Sequence, residues 1–106
     1  MSIHTFVSMK EGVKMMSEDK DFVLLDVRRP DEFAKGHIPG AVLLTNETMT
    51  EEKAAAVIKN KDQKIYVYCY AGRRSKIALQ KLDEYGYTNI IEIGGITDYT
   101  GELEVS

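Results

Sequence analysis

The sequence has little of what stabilises small secreted domains or inserts a chain into a membrane. It contains one cysteine in 106 residues, which excludes an internal disulfide and also an intramolecular resolving thiol. No stretch approaches the roughly 18 apolar residues that a membrane-spanning helix needs. The first residues lack the charged and apolar regions of a signal peptide. We therefore predict a cytoplasmic protein without a membrane partner.

An excess of charge of one sign is also lacking. Lys and Arg number 14 and Asp and Glu 17, a net charge of −3 that favours neither nucleic acid nor an anionic membrane as a partner. The two histidines, His4 and His37, are not spaced with Cys69 as metal ligands are, so we predict no metal site, and no cofactor. The hydrophobic fraction of 43% and the length suit one globular domain over residues 1–106.

Apolar runs alternate with amphipathic stretches along the whole chain. Five runs predict strands at residues 3–7, 22–27, 41–44, 65–69 and 90–93, the last of them broken by Gly94 and Gly95. Between them the sequence predicts a helix capped by Ser8, a short turn opened by Pro30, a helix from Thr50 to Asn60, and a last helix ending at Gly86. This alternation indicates an α/β fold with a mainly parallel sheet of about five strands and helices on both faces.

The cysteine lies where the fourth strand should end and a helix should begin. It opens a loop that consists of Cys69, Tyr70, Ala71, Gly72, Arg73, Arg74 and Ser75. A helix N-terminus exposes backbone N–H groups and a partial positive charge, and both favour an anion such as a thiolate. Because ligands of parallel sheets bind beyond the carboxyl ends of the strands, the fold and the loop indicate the same site.

Several loop residues have a predicted role in holding an anion. A free thiol with a pKa near ~8.5 is only about 3% thiolate at neutral pH, and a helix N-terminus with nearby cations raises that fraction. Gly72 lets the backbone curl and turn N–H groups inward. Arg73 and Arg74 contradict the preference for acidic residues in a first helical turn, which indicates a functional role. Ser75 either donates its hydroxyl to the sulfur or caps the helix.

A thiolate held in this way suits the transfer of a group that is anionic before and after transfer. Sulfane sulfur is one such group, and a phosphoryl or arsenate group is another. We predict that the other ionisable residues in motifs are structural. Asp26 and Arg28 are expected to form an ion pair or a hydrogen-bonded turn, and His37 is expected to be a hydrogen-bonded turn residue.

Three motifs together resemble those of single-domain rhodaneses. Residues 69–74 resemble the Cys-x-x-Gly-x-Arg loop of that family. Its upstream signature is resembled by Asp26-Val27-Arg28, Pro30, Glu32-Phe33 and residues 36–41, which read GHIPGA, and its closing motif by residues 94–96. The match covers nearly the whole chain in order, although Tyr99 stands where the family often has tryptophan. The resemblance implies a rhodanese-like three-layer sandwich.

The resemblance also implies an enzyme, a thiosulfate sulfurtransferase. Cys69 would attack a small anionic donor such as thiosulfate and become a persulfide. Cyanide or a thiol, including a protein thiol, would then take the outer sulfur. The backbone N–H groups of residues 70–75 would stabilise the persulfide, and Arg74 would bind the sulfonate of the donor. On this interpretation, Arg74→Ala raises the KM for thiosulfate far more than Arg73→Ala does.

Two alternatives stay open at this point. A persulfide carrier would take sulfur from a partner desulfurase and pass it on, with little turnover of free thiosulfate. Phosphatases and arsenate reductases of the same fold use a loop one residue longer, with the arginine six positions after the cysteine. Here Arg74 lies five positions after Cys69 and position 75 is serine, which favours sulfur chemistry.

Overall fold

Five parallel strands form one sheet in the computed structural model, which describes residues 3–105. The strands are β1 (Ile3–Phe6), β2 (Val23–Asp26), β3 (Val42–Leu43), β4 (Ile65–Cys69) and β5 (Asn89–Gly95). Their order across the sheet is β1-β5-β4-β2-β3, and the neighbours pair in parallel. The predicted parallel sheet is therefore confirmed. The extent of the domain, residues 1–106, stays a prediction, and residues 1, 2 and 106 lie outside the described part.

Four α-helices connect the strands, with short 3-10 turns at Asn46–Thr48 and Ile96–Asp98: α1 (Met9–Glu18), α2 (Pro30–Lys35), α3 (Glu51–Val57) and α4 (Arg73–Glu84). The hydroxyls of Ser8 and Thr50 each accept a hydrogen bond of 3.1 Å from the backbone N–H three residues further on. These predicted caps satisfy N–H groups that a helix start leaves unpaired. The predicted end of α3 at Asn60 is wrong, because the chain leaves helical geometry at Ile58, whose side chain is buried in the core.

Helices cover both faces of the sheet. On one face α3 and α4 pack against β2, β4 and β5, in a core that includes Leu25, Ala54, Val67, Ala78, Leu82 and Ile90. On the other face α1 packs on the sheet through a core that includes Met9, Leu24, Tyr66, Tyr68 and Ile91. Because both faces are covered, β4 is buried along its whole length. The predicted three-layer sandwich is confirmed.

The glycine pair at the end of β5 does not break the strand, so that prediction is wrong. Gly94 has a φ of +85°, which favours glycine, and the sheet register shifts at this point. Glu92 pairs with Val67 before the shift, and Gly95 pairs with Cys69 after it. β5 therefore continues beside the cysteine.

The elements of the fold are short. β3 keeps only Val42–Leu43 of the four residues predicted, because it lies at the edge of the sheet and pairs on one side alone.

The helix α4 has 12 residues, and no helix within residues 3–105 combines the length and the apolar character needed to cross a bilayer. The cytoplasmic location stays a prediction.

Candidate active site

Cys69 is the last residue of the central strand β4, at the end of the sheet where the parallel strands have their carboxyl termini. Its side chain is buried. The chain then turns at Gly72, whose φ of +92° lies in the left-handed region, and α4 begins at Arg73. This turn directs the N–H of Gly72 at the cysteine sulfur, with N and Sγ 2.8 Å apart. The thiol, the glycine turn and the helix start therefore come together as the sequence predicts.

The sulfur has a second polar neighbour, the hydroxyl of Ser75 in the first turn of α4. The thiol donates to Ser75 Oγ across 3.6 Å, and Ser75 donates to a carboxylate oxygen of Glu92 at 2.7 Å. Ser75 Oγ also lies 3.2 Å from the carbonyl oxygen of Gly72. Sequence reasoning missed Glu92, a buried residue of β5. The available signal was an acid inside an otherwise apolar strand.

Gly95 of β5 lies directly against the cysteine loop. A Cβ atom at this position would lie 2.3 Å from the carbonyl oxygen of Tyr70 and 2.6 Å from the Cα of Ala71. Neither distance is tolerated without movement of the backbone. The N–H of Thr97 donates to the same Tyr70 carbonyl at 3.2 Å. β5 and the residues after it thus support the loop from behind, and the lack of a side chain at Gly95 makes this contact possible.

Arg74 is paired with Glu32 of α2. Its two terminal nitrogens lie 2.7 and 2.9 Å from the two carboxylate oxygens, which is the strong bidentate geometry. The hydrogen bond from Arg74 is the main reason that the pKa of Glu32 falls to about 2. The same hydrogen bond raises the pKa of Arg74. A second acid, Glu47, lies 3.9 Å from the guanidinium. Arg74 therefore ties the start of α4 to α2.

One pocket joins most of the predicted site residues. Its volume is about 280 Å³, and it is lined by Cys69, Tyr70, Ala71, Arg73 and Arg74. Tyr70 is 54% exposed and Arg73 is also exposed, whereas Gly72 and Ser75 contact the sulfur from inside the protein. All seven predicted site residues are thus brought together. The two arginines differ, since Arg74 is held by carboxylates and Arg73 extends towards solvent.

Asp26 and Arg28 form a buried ion pair, in agreement with the structural role predicted for them. Arg28 Nη2 lies 2.7 Å from Asp26 Oδ2 and 2.6 Å from the carbonyl oxygen of Gly36. The hydroxyl of Tyr68 donates to the same Asp26 oxygen at 2.8 Å, and burial is the main cause that raises the pKa of Tyr68. The ring of His37 likewise belongs to a turn, with Nδ1 2.9 Å from a backbone carbonyl oxygen of α2.

Residues 8–102 match the family of the rhodanese-like domain. The chain belongs to the rhodanese family. It is 35% identical over 74 residues to the thiosulfate sulfurtransferase PspE of Escherichia coli, and the match covers 70% of each protein. It is 31% identical over 99 residues to the putative sulfur carrier protein YrkF of Bacillus subtilis, covering 92% of this chain and 52% of YrkF. The chain thus spans about half the length of YrkF.

Several solved structures share this fold. A structure described as rhodanese with anions from E. coli has a TM-score of 0.72 and 31% identity, covering 79% of this chain and 98% of that chain. The protein SSP1007 from Staphylococcus saprophyticus has a TM-score of 0.79 and 25% identity, covering 94% of this chain and 98% of that chain. The relatives that this chain matches in sequence include a thiosulfate sulfurtransferase and a putative sulfur carrier.

Proposed function

We propose that the protein is a sulfurtransferase that carries sulfane sulfur on Cys69 as a persulfide. The observation behind this proposal is the setting of the sulfur, where the N–H of Gly72 lies 2.8 Å from Sγ at the N-terminus of the 12-residue helix α4. An inward N–H group and the positive end of a helix dipole stabilise a thiolate, and they stabilise a terminal sulfur anion in the same way. The names of the relatives PspE and YrkF support the same chemistry.

The proposed reaction has two steps. In the first step the Cys69 thiolate attacks the sulfane sulfur of thiosulfate. A bond forms between Sγ and that sulfur, the S–S bond of thiosulfate breaks, and sulfite leaves with the electron pair. In the second step cyanide or a thiolate attacks the outer sulfur, thiocyanate or a new persulfide departs, and Cys69 is released as a thiolate. Both steps place negative charge at sulfur, so the same donors in the loop act in both.

We assign the sulfonate of the donor to Arg73 rather than to Arg74. Glu32 accepts a hydrogen bond from each terminal nitrogen of Arg74, and Glu47 lies 3.9 Å away. These carboxylates offset the charge of Arg74, so an anionic donor gains less from it than from an unpaired guanidinium. Arg73 lines the same pocket and is exposed, and no salt bridge among residues 3–105 engages its guanidinium. We therefore propose a division of roles between the two arginines as the alternative to the sequence-based prediction that Arg74 is the sulfonate ligand.

Arg73→Ala is expected to raise the KM for thiosulfate about tenfold, because a hydrogen bond to a charged group is lost, while stability stays near that of the wild type. Arg74→Ala is expected to lower the free energy of unfolding by about 1–2 kcal/mol, with a smaller change in KM. Steady-state kinetics and urea unfolding measure both effects, and Arg29→Ala serves as an exposed arginine outside the pocket. A larger KM effect for Arg74→Ala would restore the assignment made from the sequence.

Sulfur loading tests the proposed function directly. Incubation with thiosulfate followed by intact-mass measurement is expected to add one sulfur atom, which cyanide then removes as thiocyanate. Cys69→Ser, which changes one atom of the side chain, is expected to gain none. If no sulfane donor loads the wild-type protein, the proposal is wrong.

A persulfide carrier is the second candidate, favoured by the match to YrkF over 92% of the chain. A carrier would load rapidly from a cysteine desulfurase persulfide and turn over free thiosulfate slowly. Comparing the two loading rates on the same protein sample distinguishes a carrier from a thiosulfate enzyme. Turnover of an aryl phosphate, or of arsenate with a reductant, tests the phosphatase and arsenate reductase alternative.

A further inference from the structure

A chain of buried polar groups leads away from the sulfur of Cys69. The thiol donates to Ser75 Oγ at 3.6 Å, and Ser75 donates to Glu92 Oε1 at 2.7 Å. The other carboxylate oxygen of Glu92 lies 3.5 Å from the Nζ of Lys76. Glu92 is 3% exposed, whereas the side chain of Lys76 is 62% exposed. The chain therefore runs from a buried thiol through a hydroxyl to a buried carboxylate, and it ends at a solvated ammonium group.

The direction of the hydrogen bonds follows from the single proton of the serine hydroxyl. Glu92 Oε1 is the nearest acceptor of Ser75, closer than the Gly72 carbonyl oxygen at 3.2 Å. With that proton directed at the carboxylate, Ser75 presents a lone pair to the thiol of Cys69. The thiol proton of Cys69 and the hydroxyl proton of Ser75 then both point in the direction of Glu92. This is the arrangement in which one proton leaves the sulfur as another reaches the carboxylate.

The burial of Cys69 and Glu92 favours moving this proton between them over losing it to solvent while Glu92 stays ionised. A thiolate formed beside an ionised Glu92 would place two negative charges in a buried region, at high electrostatic cost. Moving the proton from sulfur to carboxylate keeps a single negative charge and only changes its place. Lys76 is the charged group of α4 that faces Glu92, and Arg74 lines the same pocket as Cys69. From β1, His4 pairs with Asp83 instead.

We propose that Glu92 receives the proton of Cys69 through Ser75 when the thiol ionises. The S–H bond breaks as Ser75 Oγ takes that proton, and the original O–H bond of Ser75 breaks as its proton binds Glu92. The electron pair remains on Sγ, where the loop N–H and the helix dipole stabilise it. Glu92 touches neither the sulfur nor a donor, so it is a positioning residue that acts through Ser75. Its use in sulfur transfer rests on the proposed function, but the ionisation itself does not.

Alkylation of Cys69 by iodoacetamide, measured as a rate against pH, tests the proposal without a sulfur donor. In the wild type the rate is expected to be level through neutral pH. Glu92→Gln keeps the size and a hydrogen-bond acceptor for Ser75 but takes up no proton. It is expected to lower the rate at pH 7 about tenfold or more, with the rate then rising with pH as for an ordinary thiol. Glu52→Gln, on the exposed surface of α3, is the control and should match the wild type.

The opposite sign is the result that overturns the proposal. If Glu92 only opposes the thiolate by its charge, Glu92→Gln will alkylate at the wild-type rate or faster at pH 7. Ser75→Ala provides a second test that stands even if Glu92→Gln fails to fold. It should lower the rate at pH 7 about tenfold or more, whereas Ser75→Thr should retain the rate because the hydroxyl is kept. Where Glu92→Gln folds, the double variant with Ser75→Ala should fall no further than either single variant. Equal rates for the alanine and threonine variants would also contradict the proposal.

The two proposals fail in different ways. If the wild type takes up no sulfur but the alkylation rates of the wild type and Glu92→Gln differ as expected, the proposed function is wrong and the proton route stands. Normal loading with an alkylation profile unaffected by Glu92→Gln would contradict only the proton route.

Discussion

Gly95→Ala is expected to lower kcat/KM for sulfur transfer at least about a hundredfold, because misplacing a reacting group by about 1 Å has effects of this size. The new methyl group would meet the carbonyl oxygen of Tyr70 and the Cα of Ala71, both backbone atoms that cannot rotate away. The backbone of Gly95 is extended, with φ of −120°, so alanine adds no conformational strain of its own. The whole effect is therefore displacement of the loop that holds Cys69. We also expect overpacking to lower the free energy of unfolding by about 1–3 kcal/mol.

Gly101→Ala is the matched control for this steric effect. An added methyl group there would meet side-chain atoms of Tyr99, which packs partly buried on the core beneath α1 and would have to shift. We expect activity close to that of the wild type, because Gly101 does not line the cysteine pocket, although the free energy of unfolding also falls. The measurements are kcat/KM for thiosulfate, the alkylation rate of Cys69 and the urea unfolding midpoint. A Gly95→Ala protein with a wild-type alkylation rate would show that the loop keeps its place and that the contact has no role in positioning it.

The position of the site was predictable because its signals are local. An apolar run identifies β4, a glycine followed by a helical pattern identifies the start of α4, and Cys69 lies between them. The alternation of strands and helices indicates a parallel sheet. In such a sheet the loop after β4 must lie at the carboxyl ends of the strands. The strand, the glycine turn and the helical pattern are each recognised within a window of at most about 18 residues. Local patterns of this kind place the thiol at a helix N-terminus without any knowledge of distant contacts.

The groups that define the chemistry of the site were not predictable, because they come from distant parts of the chain. Arg74 and Glu32 are separated by 42 positions, and Ser75 and Glu92 by 17. No local rule pairs such residues. Gly95 presents the same difficulty, since the sequence shows a glycine, but the loop that occupies the space beside it is seen only in three dimensions. The fold fixes which charged groups meet at the loop, and our proposal for the two arginines rests on those contacts.

Arg28→Met is expected to lower the free energy of unfolding by about 3–5 kcal/mol. Asp26 is fully buried and Arg28 is 4% exposed, so the carboxylate has no access to water when its partner is removed. Methionine fills much of the same space but cannot donate to Asp26 or to the Gly36 carbonyl oxygen. The hydroxyl of Tyr68 would remain as a donor, which is not enough to balance a buried negative charge. Urea unfolding measures the change.

The neighbouring arginine is the control, because its ion pair is exposed. The side chains of Arg29 and Asp31 are 58% and 60% exposed, and solvent screening leaves such pairs with little effect on stability. Arg29→Met is therefore expected to leave the urea unfolding midpoint close to that of the wild type. Similar losses for the two variants would mean that burial does not decide the strength of these pairs.

A double variant separates the charge of the buried pair from the volume that the pair fills. Asp26→Asn combined with Arg28→Met buries no net charge, although it changes both side chains. If the cost of Arg28→Met comes from an unpaired carboxylate, the double variant must be more stable than that single variant. If the cost comes from lost packing, the double variant will be the least stable. The order of the unfolding midpoints thus decides whether electrostatics or packing holds the end of β2 in place. That end bonds to Tyr68, the residue before Cys69.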